Sequence, residues 1–291
     1  MPTRARPESR LTLLEASLLR KIPWLIHGFS TRPGGYSRAY GGHALNLGFT
    51  KTDAQTAVER NRTAFLLRLG VDGSRPSPMV TLRQVHSDVI HRVSTVPDHP
   101  LVGDGLMTDT PGPVLAVQTA DCLPVIMVDP NQRAVAVFHA GWRGTVKRIV
   151  EKGVGEMRRQ FGSRPRDLLT AIGPGVHCCC YGVGEEVRQQ FESQFAYALE
   201  LFREVKESDP VREKYPLLFL SARAPGHSNL PVKIFLDLVE ANRRQLLDAG
   251  VSAKNVETSP LCTSCHTDLL FSHRAEQGAT GRLMGAVGIR L

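Results

Sequence analysis

The chain has 291 residues, 42% hydrophobic and 22% charged, the balance of a soluble globular protein long enough to bury a sizeable core. No apolar run approaches the roughly 18 residues of a membrane span, and the polar, Arg-rich start from Met1 to Arg10 lacks the apolar core of a secretory signal, so a cytoplasmic protein with no membrane partner is expected. The formal charge of +8 admits an anionic substrate, but the basic residues are dispersed and no aromatics interleave with them, so no nucleic-acid partner is expected.

Trp24 to Thr31 reads as a first strand, stopped by the turn Arg32-Pro33-Gly34-Gly35. The loop through Gly41-Gly42 to Asn46-Leu47-Gly48 has no periodicity. Asp53 is placed to cap a helix running to about Leu69, with Val58, Phe65 and Leu69 on one face and Gly70 as its stop. Strand patterns then crowd together at Met79 to Val85, Val89 to Val93, Val114 to Gln118, Pro124 to Val128 and Ala134 to Phe138. Thr145 to Phe161 is predicted as a helix, Leu168 to Ile172 as a strand and Glu185 to Phe195 as a helix. Residues 203 to 230 read as loop around a strand at Leu217 to Leu220; a helix from Leu236 to Ala249 ends at Gly250, and Met284 to Leu291 is a terminal strand. Strands and helices do not alternate strictly, and no repeat or linker divides the chain. The pattern predicts a single α+β domain over 1–291 with mixed sheets, residues 1–22 being an irregular extension.

Three residues stand out against these apolar segments. His86 follows Arg83-Gln84-Val85, Cys122 follows Ala120-Asp121 inside the stretch Val114 to Val128, and His139 ends a strand just before Ala140-Gly141-Trp142-Arg143-Gly144. A carboxylate and a thiol in an apolar stretch are costly without partners, and strand ends are where α/β sheets present site residues. Two imidazoles and a thiolate suit a borderline-soft metal such as zinc, and three protein ligands leave a fourth position for water or substrate. Spacing alone leaves both a metal or catalytic site and a buried structural cluster open.

The remaining cysteines are the run Cys178-Cys179-Cys180 and the pair in Cys262-Thr263-Ser264-Cys265-His266; all six read as thiols or metal ligands rather than a disulfide framework. The C-x-x-C-H pattern is half of a zinc ribbon, and it reads as a loop lining the site, with a second metal site as the minority reading. Neighbouring side chains of the triple cysteine point to opposite faces of an extended segment and cannot all meet one metal. Ile172-Gly173-Pro174-Gly175 is rich in glycine; an anion cradle and plain turn structure weigh equally there. Arg143, Arg274 and Arg282 lie in glycine-containing loops and suit phosphate, though most such arginines are surface charges.

At these residues the sequence resembles the YfiH/YlmD-like family, whose members carry the labels multicopper polyphenol oxidoreductase (laccase-type), purine nucleoside phosphorylase and peptidoglycan editing factor. The likeness rests on Arg83-Gln84-Val85-His86-Ser87, Thr119-Ala120-Asp121-Cys122-Leu123-Pro124-Val125 and Phe138-His139-Ala140-Gly141-Trp142-Arg143-Gly144, and extends to His27-Gly28-Phe29-Ser30, Asn46-Leu47-Gly48, Asn61-Arg62, Cys179-Cys180-Tyr181, Asn242-Arg243, Cys262-Thr263 and Thr280-Gly281-Arg282. Small departures are Gly182 and His177, where members often carry Glu and Gly, and His273, where an aromatic is usual. The resemblance implies an α-β-β-α layered domain with zinc on His86, Cys122 and His139, or copper as its substitute. It also implies phosphorolysis of adenosine, with inosine, guanosine and methylthioadenosine as related substrates and adenosine deamination as a side activity. In that reading Cys122, His139, Asp121 and Gln84 are the catalytic candidates. Asn46, Arg62, Arg143, Arg274 and Arg282 are the candidates for binding nucleoside and phosphate, and the oligomeric state stays open.

Phosphorolysis has to hold phosphate near C1′ and help a purine anion leave, which arginines beside the metal suit. Deamination needs a base; the familiar zinc deaminase places a Glu beside its His ligand, none follows His139, and Asp121 is the candidate in its place. Two rivals use the same residues. A copper oxidase shares the two-His, one-Cys donor set, but the ten histidines (27, 43, 86, 91, 99, 139, 177, 227, 266 and 273) form no His-x-His pair, so a multicopper cluster is not expected. A cysteine hydrolase or amidase acting on cell-wall precursors would pair Cys122 with His139, oriented by His86 or Asp121. A non-enzymatic binding module would leave the Asp-Cys step and both imidazoles without purpose.

Overall fold

In chain order the strands and helices are β1 (Leu13–Leu14), β2 (Leu25–Ser30), β3 (Pro33–Ser37), α1 (Gln55–Arg68), β4 (Met79–Val80), β5 (Leu82–Arg83), β6 (Ile90–Arg92), β7 (Leu101–Val102), β8 (Gly105–Thr108), β9 (Val114–Thr119), β10 (Leu123–Asp129) and β11 (Ala134–Ala140). They continue with α2 (Trp142–Val146), α3 (Ile149–Phe161), β12 (Leu169–Ile172), β13 (Gly182–Val183), α4 (Glu185–Glu192), β14 (Phe202–Lys206), β15 (Val232–Leu236), α5 (Leu238–Asp248), β16 (Val256–Thr258) and β17 (Leu283–Ile289). The structure is a computed structural model that describes residues 11–71, 78–206 and 232–291. Its contacts form two compact units, Met1–His177 with Leu238–Leu291, and Cys178–Asp237. Among the described residues no helix is long and apolar enough to cross a membrane.

The larger unit is built on two mixed sheets, one ordered β1-β2-β17-β9-β4 and one ordered β16-β12-β10-β11-β8-β6. Period-two alternation explains how they layer. Leu25 and Phe29 of β2, Leu115 and Val117 of β9, and Val287 and Ile289 of β17 point inward, against Leu106, Ile126, Val128, Val135 and Val137 of the other sheet. The intervening residues Ile26, Val114, Ala116, Met284 and Ala286 face the opposite way and meet Phe65, Leu66 and Leu69 of α1. On the far side α3 packs on β11, where Gly153 lies against the Phe138 ring. The order of layers is α-β-β-α, as the resemblance implies. The smaller unit carries the antiparallel sheet β13-β15-β14 beside α4, with Phe191 ringed by Phe195 and Phe202.

Several local expectations change. Asp53 does not cap α1: Ala54 holds that position without a side-chain bond, while Asp53 Oδ2 accepts from Ser37 Oγ and Asn46 Nδ2 and Oδ1 accepts from the Ala54 N–H. The helix predicted over Thr145 to Phe161 is two helices, broken at Arg148 in a left-handed conformation (φ 63°). Met79 to Val85 splits into β4 and β5, which join different sheets, and the turn after Arg32 continues into β3. Leu236 ends a strand, and the helix begins at Leu238. The strand read at Leu217 to Leu220 lies outside the described residues.

Two glycines of α3 separate helix propensity from packing. A Cβ on Gly153 would fall 2.4 Å from Cζ of Phe138, while one on Gly155 meets nothing within 4 Å. Gly155→Ala is therefore expected to stabilise by about 0.5–1 kcal/mol. Gly153→Ala is expected to destabilise by about 1–3 kcal/mol despite the same propensity gain, because the ring cannot move aside in a close-packed core. Denaturant midpoints of the two variants check both signs.

Candidate metal centre

The strand order carries three loops to one point. β9 belongs to one sheet and β10 to the other, so Ala120-Asp121-Cys122 crosses the sandwich between them. Antiparallel register sets Pro124 opposite His139 and Leu123 opposite Ala140, which places Cys122 beside the end of β11. β5 delivers Gln84, Val85 and His86 to the same place.

There the side-chain donors of His86, Cys122 and His139 all lie within 4.8 Å of one another. Cys122 Sγ is 3.9 Å from His86 Nε2, and the two imidazoles meet edge to face with centroids 4.9 Å apart. His139 is buried, Cys122 half-buried and His86 exposed, so the cluster opens on one side. Gly141 makes room for it: a Cβ there would stand 2.7 Å from Cys122 Sγ and 3.1 Å from His86 Cδ2. The donor set fits zinc, whose tetrahedral bond lengths put sulfur and nitrogen ligands about 3.5 Å apart.

The buried charges are paired. Burial alone would raise the Cys122 thiol, but the charge and hydrogen bond of His139, with help from His86, bring it down to about 6. Burial would likewise lower His139, and the Cys122 thiolate and Asp104 outweigh it, raising the imidazole to about 9. Asp104 is held well below the carboxylate range against its own burial by bonds from His139 and Ser87. This carboxylate is the site residue that sequence reasoning missed. Its signal was an acid between Gly103 and Gly105 at the head of the fully buried β8, a strand too short and irregular to stand out.

Several predicted contact residues also brace the loops around the centre. Asn46 is fully buried; Nδ2 donates to Gly48 O and Asp53 Oδ2, and Oδ1 accepts from the N–H groups of Gly48 and Arg282. Those four bonds use the amide's whole capacity. Gln84 exchanges two 2.8 Å bonds with the main chain of Gln118, fastening the loop before His86 to β9. Asp121 accepts from Thr263 Oγ1 at 2.7 Å and from the Arg274 N–H at 2.8 Å. Each oxygen holds one donor, which fixes the orientation of the carboxylate.

The arginines are divided. Arg62 Nε donates to Leu47 O, its guanidinium lies 4.4 Å from the Phe49 centroid, and burial lowers its pKa to about 10. Arg282 reaches the same stretch: Arg282 Cγ and Gln118 Oε1 stand 2.5 and 2.7 Å from where a Gly48 Cβ would be. Arg143 is exposed over the Trp142 ring, two residues past Gly141, and Arg274 is exposed beyond Asp121. The loop at Cys262 is where the sequence suggested, beside the centre, since its Thr263 bonds Asp121 and Gly175. Gly173 and Gly175 are packing residues rather than an anion cradle, because a Cβ on either would fall 2.4 Å from Phe29 or Leu123.

Known proteins resemble this chain along most of its length. Residues 26–290 match the family described as multi-copper polyphenol oxidoreductase laccase. The purine nucleoside phosphorylase YlmD of Geobacillus stearothermophilus is 34% identical over 278 residues, 91% of this chain and 90% of that protein. Adenosine deaminase RL5, from an unknown prokaryotic organism, is 33% identical over 260 residues, 86% and 88% of the two chains. The crystal structure of the Bacillus licheniformis hypothetical protein YfiH matches with a TM-score of 0.80 at 32% identity, over 96% of this chain and 97% of that one. The family match over residues 26–290, the identity and the fold agree, and the chain belongs to the YfiH/YlmD-like family of multi-copper polyphenol oxidoreductase laccase proteins.

Proposed function

We propose that this protein is a zinc-dependent purine nucleoside phosphorylase that cleaves adenosine, and also inosine, guanosine and methylthioadenosine, with adenosine deamination as a side activity. The observation that carries the reading is the convergence of His86, Cys122 and His139 at an open mouth. It is supported by relatives named purine nucleoside phosphorylase and adenosine deaminase. In the reaction the C1′–N9 bond breaks, a phosphate oxygen bonds C1′, and the purine leaves carrying a proton. Zinc, when bound, supplies a Lewis acid at this mouth. Arg62 Nε donates to Leu47 O, and Arg282 lays its aliphatic stem on Gly48 while Nη1 donates to Thr280 O and Gly281 O, so two arginines flank this stretch as candidates for phosphate. Asn46 fixes the Arg282 main chain and Asp121 that of Arg274, so each arginine starts from a held backbone. Gly141 leaves the approach to Cys122 and His86 clear.

The line Asp104, His139, Cys122 supports a second reading, a cysteine hydrolase in which Asp104, rather than His86 or Asp121, orients the base. His86 separates the two, for a metal needs its third donor and a dyad does not.

Adenine release from adenosine, with and without phosphate, on protein of known metal content tests the first reading. Ala in place of His86, Cys122 or His139 is expected to lower phosphate-dependent release by more than about a hundredfold, since lesser changes around a metal already cost 10–100-fold. Release that needs no phosphate, is lost at Cys122 and His139 and stays full in His86→Ala selects the hydrolase.

Alkylation of the metal-stripped protein follows the Cys122 thiolate. Its rate is expected to climb as pH rises through about 6 and then level, because the folded state favours the thiolate above that value and protonates it below. Zinc should suppress the reaction. Cys178, whose thiol burial pushes up, should react only at higher pH. A Cys122 rate that rises only near 9.0, the ordinary thiol value, contradicts the pairing with His139.

A further inference from the structure

We infer that Asp104 is the positioning residue of the centre, one buried carboxylate that fixes both the ring of His139 and the main chain of His86. The inference rests on the metal reading of the triad. Asp104 has no solvent exposure, and its two oxygens receive five donors. Oδ1 accepts from His139 Nδ1 at 2.8 Å and from the His86 N–H at 3.1 Å. Oδ2 accepts from the Ser87 N–H at 2.6 Å, Ser87 Oγ at 2.7 Å and the Val85 N–H at 3.2 Å. The Asp104 carbonyl also takes the His139 N–H at 2.7 Å.

Two consequences follow. A carboxylate beside Nδ1 keeps a proton on that nitrogen, so the Nε2 lone pair of His139 is the one presented to a metal. Three consecutive N–H groups folded onto the same carboxylate hold His86 in a left-handed backbone (φ 57°) that a histidine rarely adopts. The positions of two ligands from different strands are thereby tied through one group. Asn at 104 keeps the shape and breaks the logic. Its NH2 must face donors whichever way it turns, and it meets fewer at the Oδ1 position, beside His139. There it donates to Nδ1, driving the ring proton to Nε2 and removing the metal's lone pair.

The test is zinc affinity by chelator competition, with the cobalt(II) spectrum of each protein as a record of ligand geometry. Asp104→Asn is expected to bind zinc about 10–100-fold more weakly and to shift the cobalt d–d bands while keeping the Cys122 thiolate charge-transfer band. Ser87→Ala strips one donor from Oδ2 and leaves the Nδ1 bond, so its affinity should stay within a few-fold of wild type. A purely structural carboxylate would make the two variants alike. Wild-type protein gives an independent answer that needs no variant to fold: ring 15N shifts of His139 in the zinc form should report Nδ1 protonated and Nε2 metal-bound. Nδ1 on the metal, or equal zinc affinity and an unchanged cobalt spectrum in Asp104→Asn, overturns the inference alone. A wild type that binds no zinc overturns the metal reading and the inference with it.

Discussion

Strands β10, β11 and β17 are buried along their whole length, and that double burial dictates where the chain's chemistry stands. With a second sheet on one face and helices on the other, a polar side chain in mid-strand would lose its water without gaining a partner. The functional groups are therefore driven to strand ends, and the ends that meet are those of β9, β10 and β11. Cys122 stands in a crossover too short to wander, and His139 is the sixth residue of a seven-residue buried strand. The core decides the geometry of the mouth before any ligand arrives.

Burial then makes the electrostatics severe. A thiolate and an imidazolium inside a poorly solvated pocket are each costly alone and stable together, which is why Cys122 and His139 move in opposite directions from their ordinary values. The same pairing serves a metal ligand set or a nucleophile, so charge alone does not separate the two chemistries. The third donor bears on that choice: His86 has a constrained backbone, and its ring meets that of His139 edge to face, so three donors face one point. The family's multi-copper description fits this chain less well. A coupled copper cluster is built from paired His-x-His motifs, and none of the ten histidines belongs to one.

How much of this was legible in the sequence follows from the same physics. Val114 to Gln118, Pro124 to Val128 and Ala134 to Phe138 were readable as strands because double burial leaves apolar runs, and Cys122 and His139 were readable because they separate or end those runs. Asp104 was not, since its strand offers four residues and a glycine on either side of the acid. The break at Arg148 was invisible because its neighbours keep helical character on both sides. Asn46, Gln84 and Asp121 were visible as polar residues in the right neighbourhood, but the neighbouring segments they bond to were not. A side chain's identity states how many bonds it makes, and only the fold states with whom.

Those three residues share a pattern. Asn46 holds the N–H of Arg282, Asp121 holds that of Arg274, and Gln84 is bonded to the main chain of Gln118. Each spends its polar atoms inside the protein on a loop that carries something else to the mouth. The motifs of the family resemblance thus divide into three donors that meet at the mouth and a ring of amides and acids that hold loops in place. Holding residues constrain the backbone without selecting a ligand, and the exposed side chains of Arg143 and Arg274 project from that fixed frame. Two proteins with the same frame need not share a substrate. Relatives named purine nucleoside phosphorylase and adenosine deaminase, at 34% and 33% identity, are what such a division of labour permits.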